Sequence, residues 1–208
     1  MDSTATTSPA PSALRPPTDD ELPPALLALM EDVRGELGFV PNFLKAYALN
    51  AEHLLAFFPF FTGLLDPDAG RLPARDRELL AVVVSAENRC NYCIATHAAI
   101  LRDLTGDPAF VDRLTINHRH ARLSARDRAL AELAVTATRD AAGVTPEALE
   151  PLRALGLDDR QLLEAVEVIA AFNFTNRLAN AIGLEPDPEF LAMRRDYDAA
   201  APDRNVRR

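Results

Sequence analysis

Glu78, Cys90, Cys93 and His97 are the residues of this chain whose types and spacing point to chemistry; they read Glu-x11-Cys-x-x-Cys-x-x-x-His. Two thiols three residues apart at a helix start have Cα atoms roughly 5–6 Å apart, within disulfide reach. Such a helix start also offers free backbone N–H groups and about half a positive charge, which favours thiolate over thiol. Arg89 adds a local positive charge to a protein whose formal net charge is −9. His97 falls one helical turn after Cys93 on the same face, placed to move protons to and from sulfur or a leaving oxygen. Glu78 belongs to the preceding helix; if the two helices fold back on each other, its carboxylate can orient the imidazole. Cys90, nearer the helix end, is expected to be the more exposed thiol.

Other readings fit parts of this pattern. Cys90, Cys93 and His97 could ligate Zn²⁺ with Glu78 as a fourth ligand, or the two thiols could be inert core residues. Cys90-Asn91-Tyr92-Cys93 also has the CxYC form of glutaredoxins, but no βαβ pattern surrounds it.

The elements that must hold these residues are helical throughout. Pro24 opens an apolar stripe that Gly38 can close, and Asn50 can cap a run from Leu54 to Leu65 that Pro59 should kink or shorten. Pro73 opens a run to about Glu87, and a short linker leads to Tyr92–Leu104. Asp107-Pro108, Ser124-x-x-Asp127, Thr145-Pro146 and Asp158-x-x-Gln161 each mark a further helix start. Strand-like alternation is nearly absent, with only Ala81–Val84 ambiguous.

An internal repeat supplies a control. Leu72–Val84 and Leu123–Val135 are identical at seven of thirteen positions, which suggests two helical units on one plan. At the same offset Glu78, Cys90, Cys93 and His97 fall on Ala129, Ala141, Val144 and Ala148. The scaffold recurs and the four chemical residues do not, so they are not needed to hold such a unit together.

The Glu/Cys/Cys/His spacing, with Val40-Pro41-Asn42-Phe43 before it and Phe172-Asn173-Phe174-Thr175-Asn176-Arg177-Leu178-Ala179-Asn180-Ala181-Ile182-Gly183-Leu184 after it, resembles the alkylhydroperoxidase D (AhpD)-like branch of the carboxymuconolactone decarboxylase superfamily, and more narrowly its peroxidase-related proteins. The likeness spans about Leu22 to Tyr197. It implies an all-α, AhpD-like helical fold built from repeated multi-helix units and assembled as a homo-oligomer. It also implies a thiol peroxidase cycle without haem, flavin or metal. In that cycle Cys93 is the peroxidatic thiolate that attacks a hydroperoxide, and Cys90 resolves it to a disulfide. His97 and Glu78 form the proton relay, and a thioredoxin-like or lipoylated protein supplies the reducing dithiol. AhpD carries a His just before the second Cys where this chain has Tyr92, a poor base that can still donate a hydrogen bond. A weaker peroxidase, or a general thiol–disulfide oxidoreductase of the same fold, is therefore an alternative; a metal-binding or oligomeric scaffold is another.

The remaining composition sets limits. With 208 residues and 48% apolar content the chain suits one domain. The reading is a disordered tail over 1–18, a domain over 19–198 with related halves of roughly 19–115 and 116–198, and a second tail over 199–208. The acidic balance argues against nucleic acid or an anionic membrane as partner. Two Cys argue against a secreted disulfide scaffold, and without a signal peptide or membrane span the expected location is cytoplasmic. His53, His118 and His120 read as solvated. The Phe57–Phe61 cluster reads as core, with a share in a subunit interface.

Overall fold

A computed structural model describes residues 10–195, and all described elements are helical: α1 (Pro24–Leu37), α2 (Asn42–Tyr47), α3 (Ala51–Leu65), α4 (Ala74–Glu87), α5 (Asn91–Thr105), α6 (Pro108–Asn117), α7 (Ala125–Arg139), α8 (Glu150–Ala154), α9 (Asp159–Ala181) and α10 (Pro188–Ala192). The ambiguous Ala81–Val84 run is helix. It lies in α4, which is buried on every side from Asp76 to Ser85 because α5, α7 and α9 all pack against it. That encirclement explains why its sequence shows an unbroken apolar run instead of a stripe.

Local signals set most helix ends. Gly38 closes α1 with φ +83°, a conformation that a Cβ disfavours. The Ser124 side chain accepts from the Asp127 N–H, and Asp158 and Gln161 form a complete capping box. Asn50 precedes α3 without capping it; its amide bonds the His53 ring instead. Pro59 does not shorten α3, which runs on to Leu65. The helix passes it at an exposed position, where Thr62 Oγ1 donates back to the Phe58 carbonyl. Thr145-Pro146 opens a 3-10 turn that leads into the five-residue α8 rather than one continuous helix.

The repeat is three-dimensional. α7 begins 51 residues after α4, and the N-cap of α9, Asp158, lies 51 residues after that of α6, Asp107. The counterpart of α5 is broken into 3-10 turns and α8, and α1–α3 precede the first copy. The elements that match at this spacing begin at α4. At the centre the two copies exchange ion pairs: Arg75 binds Asp127 through Nη1 and Nη2, and its repeat mate Arg126 donates to Asp76 Oδ2 at 2.7 Å. Both carboxylates are 4% exposed, whereas the arginines keep 28% and 30%. Removing one partner of a buried pair leaves an uncompensated charge. Asp127→Ala is therefore expected to cost about 2–3 kcal/mol in urea denaturation, somewhat below the fully buried case because Arg75 reaches solvent.

The chain before α1 is partly docked. Residues 1–9 lie outside the described part, but the Ala13 N–H donates to the Ile182 carbonyl, the Glu185 N–H donates to the Pro11 carbonyl, and Ser12 is buried. Residues 10–18 therefore belong with the domain, held by backbone hydrogen bonds that a Pro-rich composition does not announce. The 199–208 segment lies outside the described residues.

Candidate active site

α4 and α5 run antiparallel through a three-residue turn. Asn88 ends α4, Arg89 takes the left-handed region at φ +53°, and the Cys90 N–H returns to the Ser85 carbonyl at 2.9 Å. The turn is closed from outside by α9: the Asn180 amide donates to the Asn88 carbonyl, and the Asn88 amide donates to Asn173 and Asn176. Arg89 itself is exposed, and its part in the site is the backbone turn.

This hairpin brings the expected residues together. The Glu78 carboxylate meets His97 Nδ1 at 2.8 Å, with side chains 6% and 9% exposed. A carboxylate there holds the proton on Nδ1 and leaves Nε2 as the lone-pair nitrogen. The ring is fixed edge-on against Phe172 at 4.5 Å between centroids. Cys90 is the N-cap of α5, Cys93 lies in its first turn, and His97 follows one turn later. Both thiols are free and buried.

Their order of exposure is the reverse of the expectation from helix position. Cys90 is fully covered, whereas Cys93 is 5% exposed and shares with His97 the wall of a cavity of about 440 Å³. The rest of that wall is largely apolar, with Phe43, Phe58, Phe61 and Ile100 among its side chains. Cys90 is sealed because Ala46, Ala179 and Leu184 pack over the helix start.

The electrostatics of the two sulfurs also differ. The Cys93 thiol donating to Cys90, joined by the backbone N–H groups of Cys93 and Tyr92, holds Cys90 below the ordinary cysteine value against the effect of burial. The same shared proton, burial and the Cys90 charge push Cys93 well above it, and hydrogen bonds from Asn176 and Thr175 offset this only in part. The reduced pair thus carries its first negative charge on Cys90. Followed by thiolate absorbance, one equivalent should titrate below the ordinary cysteine pKa and the second well above it. Linkage gives opposite signs to the two groups. Cys90's lowered pKa adds stability above its ordinary value, lost as pH falls through the folded value. Cys93's raised pKa adds stability below the ordinary value, lost as pH rises toward the folded one. The reduced protein should therefore weaken at strongly alkaline pH.

Tyr92 plays a different part from a proton relay. Its hydroxyl accepts from the Phe43 N–H at 3.4 Å and lies beside Asp187, whose Oδ1 accepts from the Asn42 N–H at 2.9 Å. Burial and the Asp187 charge raise the phenol pKa well above its usual value, and burial raises that of Asp187. The side chain pins α5 to α2.

Thr175 and Asn176 are site residues that spacing alone does not reveal. Asn176 is fully buried, donates to Ser85 Oγ at 3.1 Å and hydrogen-bonds Cys93. The signal for it was the run of polar residues Asn173, Thr175 and Asn176 among apolar ones late in α9. Of the other histidines, His53 and His120 are exposed. His118 is half-buried, with Nε2 at 3.9 Å from Glu132. Among the described residues no group of three or more His, Cys, Asp or Glu is gathered as a metal site.

The all-α frame that holds this CxxC pair and buried Glu–His pair is of the AhpD-like class. The chain belongs to the carboxymuconolactone decarboxylase family in its AhpD-like form. The carboxymuconolactone decarboxylase family pattern matches residues 51–112. The whole described domain is similar to an uncharacterized peroxidase-related protein from Silicibacter sp. TM1040, with 38% identity, TM-score 0.84, and 92% of this chain and 100% of that one covered. An uncharacterized peroxidase-related protein from Ralstonia eutropha JMP134, described as an alkylhydroperoxidase AhpD core, gives 31% identity and TM-score 0.86 over the same shares. The debrominase Bmp8 shares the fold alone, at 20% identity and TM-score 0.69, with 85% of this chain and 93% of that one covered. No curated protein matches the sequence.

Proposed function

We propose that the protein is a cysteine-dependent hydroperoxidase in which Cys93 is the attacking sulfur. The observation that carries this reading is the sharing of one apolar cavity wall by Cys93 and His97, with Cys90 sealed beneath and Glu78 bonded behind. His97 Nε2, directly or through a water, takes the Cys93 thiol proton as Cys93 Sγ attacks the distal oxygen of a hydroperoxide. The O–O bond breaks, and the departing alkoxide takes that proton and leaves as the alcohol. Cys93 is now a sulfenic acid. Cys90 Sγ attacks the Cys93 sulfur, the S–S bond forms, and the sulfenic hydroxyl leaves as water, with the proton of a Cys90 thiol or, where Cys90 is already the thiolate, with one delivered from solvent through His97. An external dithiol, carried by a thioredoxin-like or lipoylated protein, restores the pair by two exchanges. The apolar wall favours an organic hydroperoxide over hydrogen peroxide.

Pre-reduced protein mixed with an organic hydroperoxide should release one equivalent of alcohol and lose two hydrogens by mass, mapped to a Cys90–Cys93 disulfide. Rapid exchange with a disulfide substrate, together with no consumption of hydroperoxide, would assign the pair to general thiol–disulfide exchange instead.

Assembly as a homo-oligomer accompanies this reading. Phe60 on α3 and Leu163, Val166 and Phe174 on α9 are between 42% and 58% exposed, and Phe57, half-buried, joins Phe174 at 5.4 Å between ring centroids. An apolar face of this kind is characteristic of a subunit contact.

A further inference from the structure

The face of α5 opposite Cys93 and His97 borders a separate cavity of about 870 Å³. Arg102 forms part of its wall. Its side chain is 2% exposed, and its ion-pair contact among the described residues is Nη1 to Asp112 Oδ1 at 3.5 Å, a long contact to a carboxylate that is itself 56% exposed. Nε and Nη2 are buried with no hydrogen-bond partner among the described residues. These two nitrogens lie side by side on one edge of the planar guanidinium, the edge that pairs with both oxygens of a carboxylate in parallel. A buried cation left with such an edge open is costly, and here burial and the nearby Arg195 also work against its charge.

We propose that this cavity is a binding site for a small organic monocarboxylate. Its carboxylate takes the Nε/Nη2 edge of Arg102, which must turn toward the cavity to receive it. Its apolar body lies along Ile94, Ala95, Ala98 and Leu191. Lys45 and Arg195 also border the cavity and offset part of the charge of the carboxylates there. Asp112, Glu185, Asp187 and Glu189 border it too, so a second carboxylate on the ligand would be repelled. A cavity of this size suits an aromatic or medium-chain acid. The site lies across α5 from the thiols and is independent of the reaction they perform.

Calorimetry on the full-length protein tests this with sodium benzoate and hexanoate, against benzamide and succinate. Benzoate and hexanoate should bind, with benzamide and succinate at least tenfold weaker. Arg102→Met should weaken benzoate by about 10–100-fold, the range for a charge-assisted pair, while the free variant melts no lower than wild type. Leu191→Asp, at an exposed position, gives a second reading that does not depend on the buried site folding: it should also lose benzoate, by repulsion. Absence of benzoate and hexanoate binding, or equal benzoate affinity in Arg102→Met, overturns the proposal. So does dissociation of an oligomer by Arg102→Met, since the carboxylate would then come from a second copy of the chain.

Discussion

Cys93→Ser should abolish hydroperoxide reduction, lowering the second-order rate constant by at least about 10³-fold, while Cys90→Ala should retain one turnover and then stop. Of the two cysteines, Cys93 alone lines the cavity, so in the proposed cycle its sulfur meets the hydroperoxide and Cys90 attacks Cys93 from within the core. In Cys90→Ala the sulfenic acid has no resolving thiol, and dimedone should label Cys93 stoichiometrically. The first turnover of this variant carries a further expectation. Cys93 owes its high pKa first to the proton it shares with Cys90, then to burial and the Cys90 charge. Without Cys90 that pKa falls, the thiolate fraction at neutral pH rises, and the single turnover should be faster than in wild type. Part of the gain is offset because a less basic thiolate is a weaker nucleophile. Stopped-flow measurement at pH 7 reads both effects. Dimedone labelling of Cys90 in the Cys93→Ser protein, with activity retained, would reverse the roles.

Glu78→Gln should reduce the rate constant about 10²–10³-fold with little loss of stability. Glu78 is a buried carboxylate whose hydrogen bond to His97 Nδ1 fixes the imidazole with Nε2 free. Glutamine keeps the shape but can accept or donate, so both His97 tautomers become available and the charge that supports an imidazolium is lost. Imidazole nitrogen NMR should therefore change from a single Nδ1–H form to a mixture. A variant with full activity and a mixed tautomer would remove Glu78 from the mechanism. Glu78→Ala differs in kind, since it opens a gap against His97 and should lower both rate and melting temperature.

Much of this molecule can be read from local signals, and the exceptions have a common cause. Pro73, Gly38, Ser124 and the Asp158–Gln161 box act within four residues of themselves, so they place helix ends reliably. The Glu78–His97 contact follows from a short turn between two helices. The burial of Cys90 beneath Ala46, Ala179 and Leu184 depends on α2 and the end of α9, which no spacing near Cys90 encodes. Thr175 and Asn176 reach Cys93 from a helix far along the chain for the same reason. The docking of residues 10–18 uses backbone groups and leaves no side-chain pattern. Arg89 illustrates a different gap: its charge suggested electrostatic support, but its left-handed backbone is what the site uses.

The long reach of α9 to the thiols also sets an order of events during synthesis. Glu78 and His97 are 19 positions apart and can pair as soon as α4 and α5 leave the ribosome. Asn176, which both hydrogen-bonds Cys93 and holds the preceding turn, emerges 83 residues after Cys93. At roughly 5–20 residues per second the two sulfurs spend about 4–17 seconds on a nascent chain that lacks their cover. A young chain of this protein is therefore more open to oxidants than a finished one, and the cell's reducing power must protect it until α9 closes over the pair.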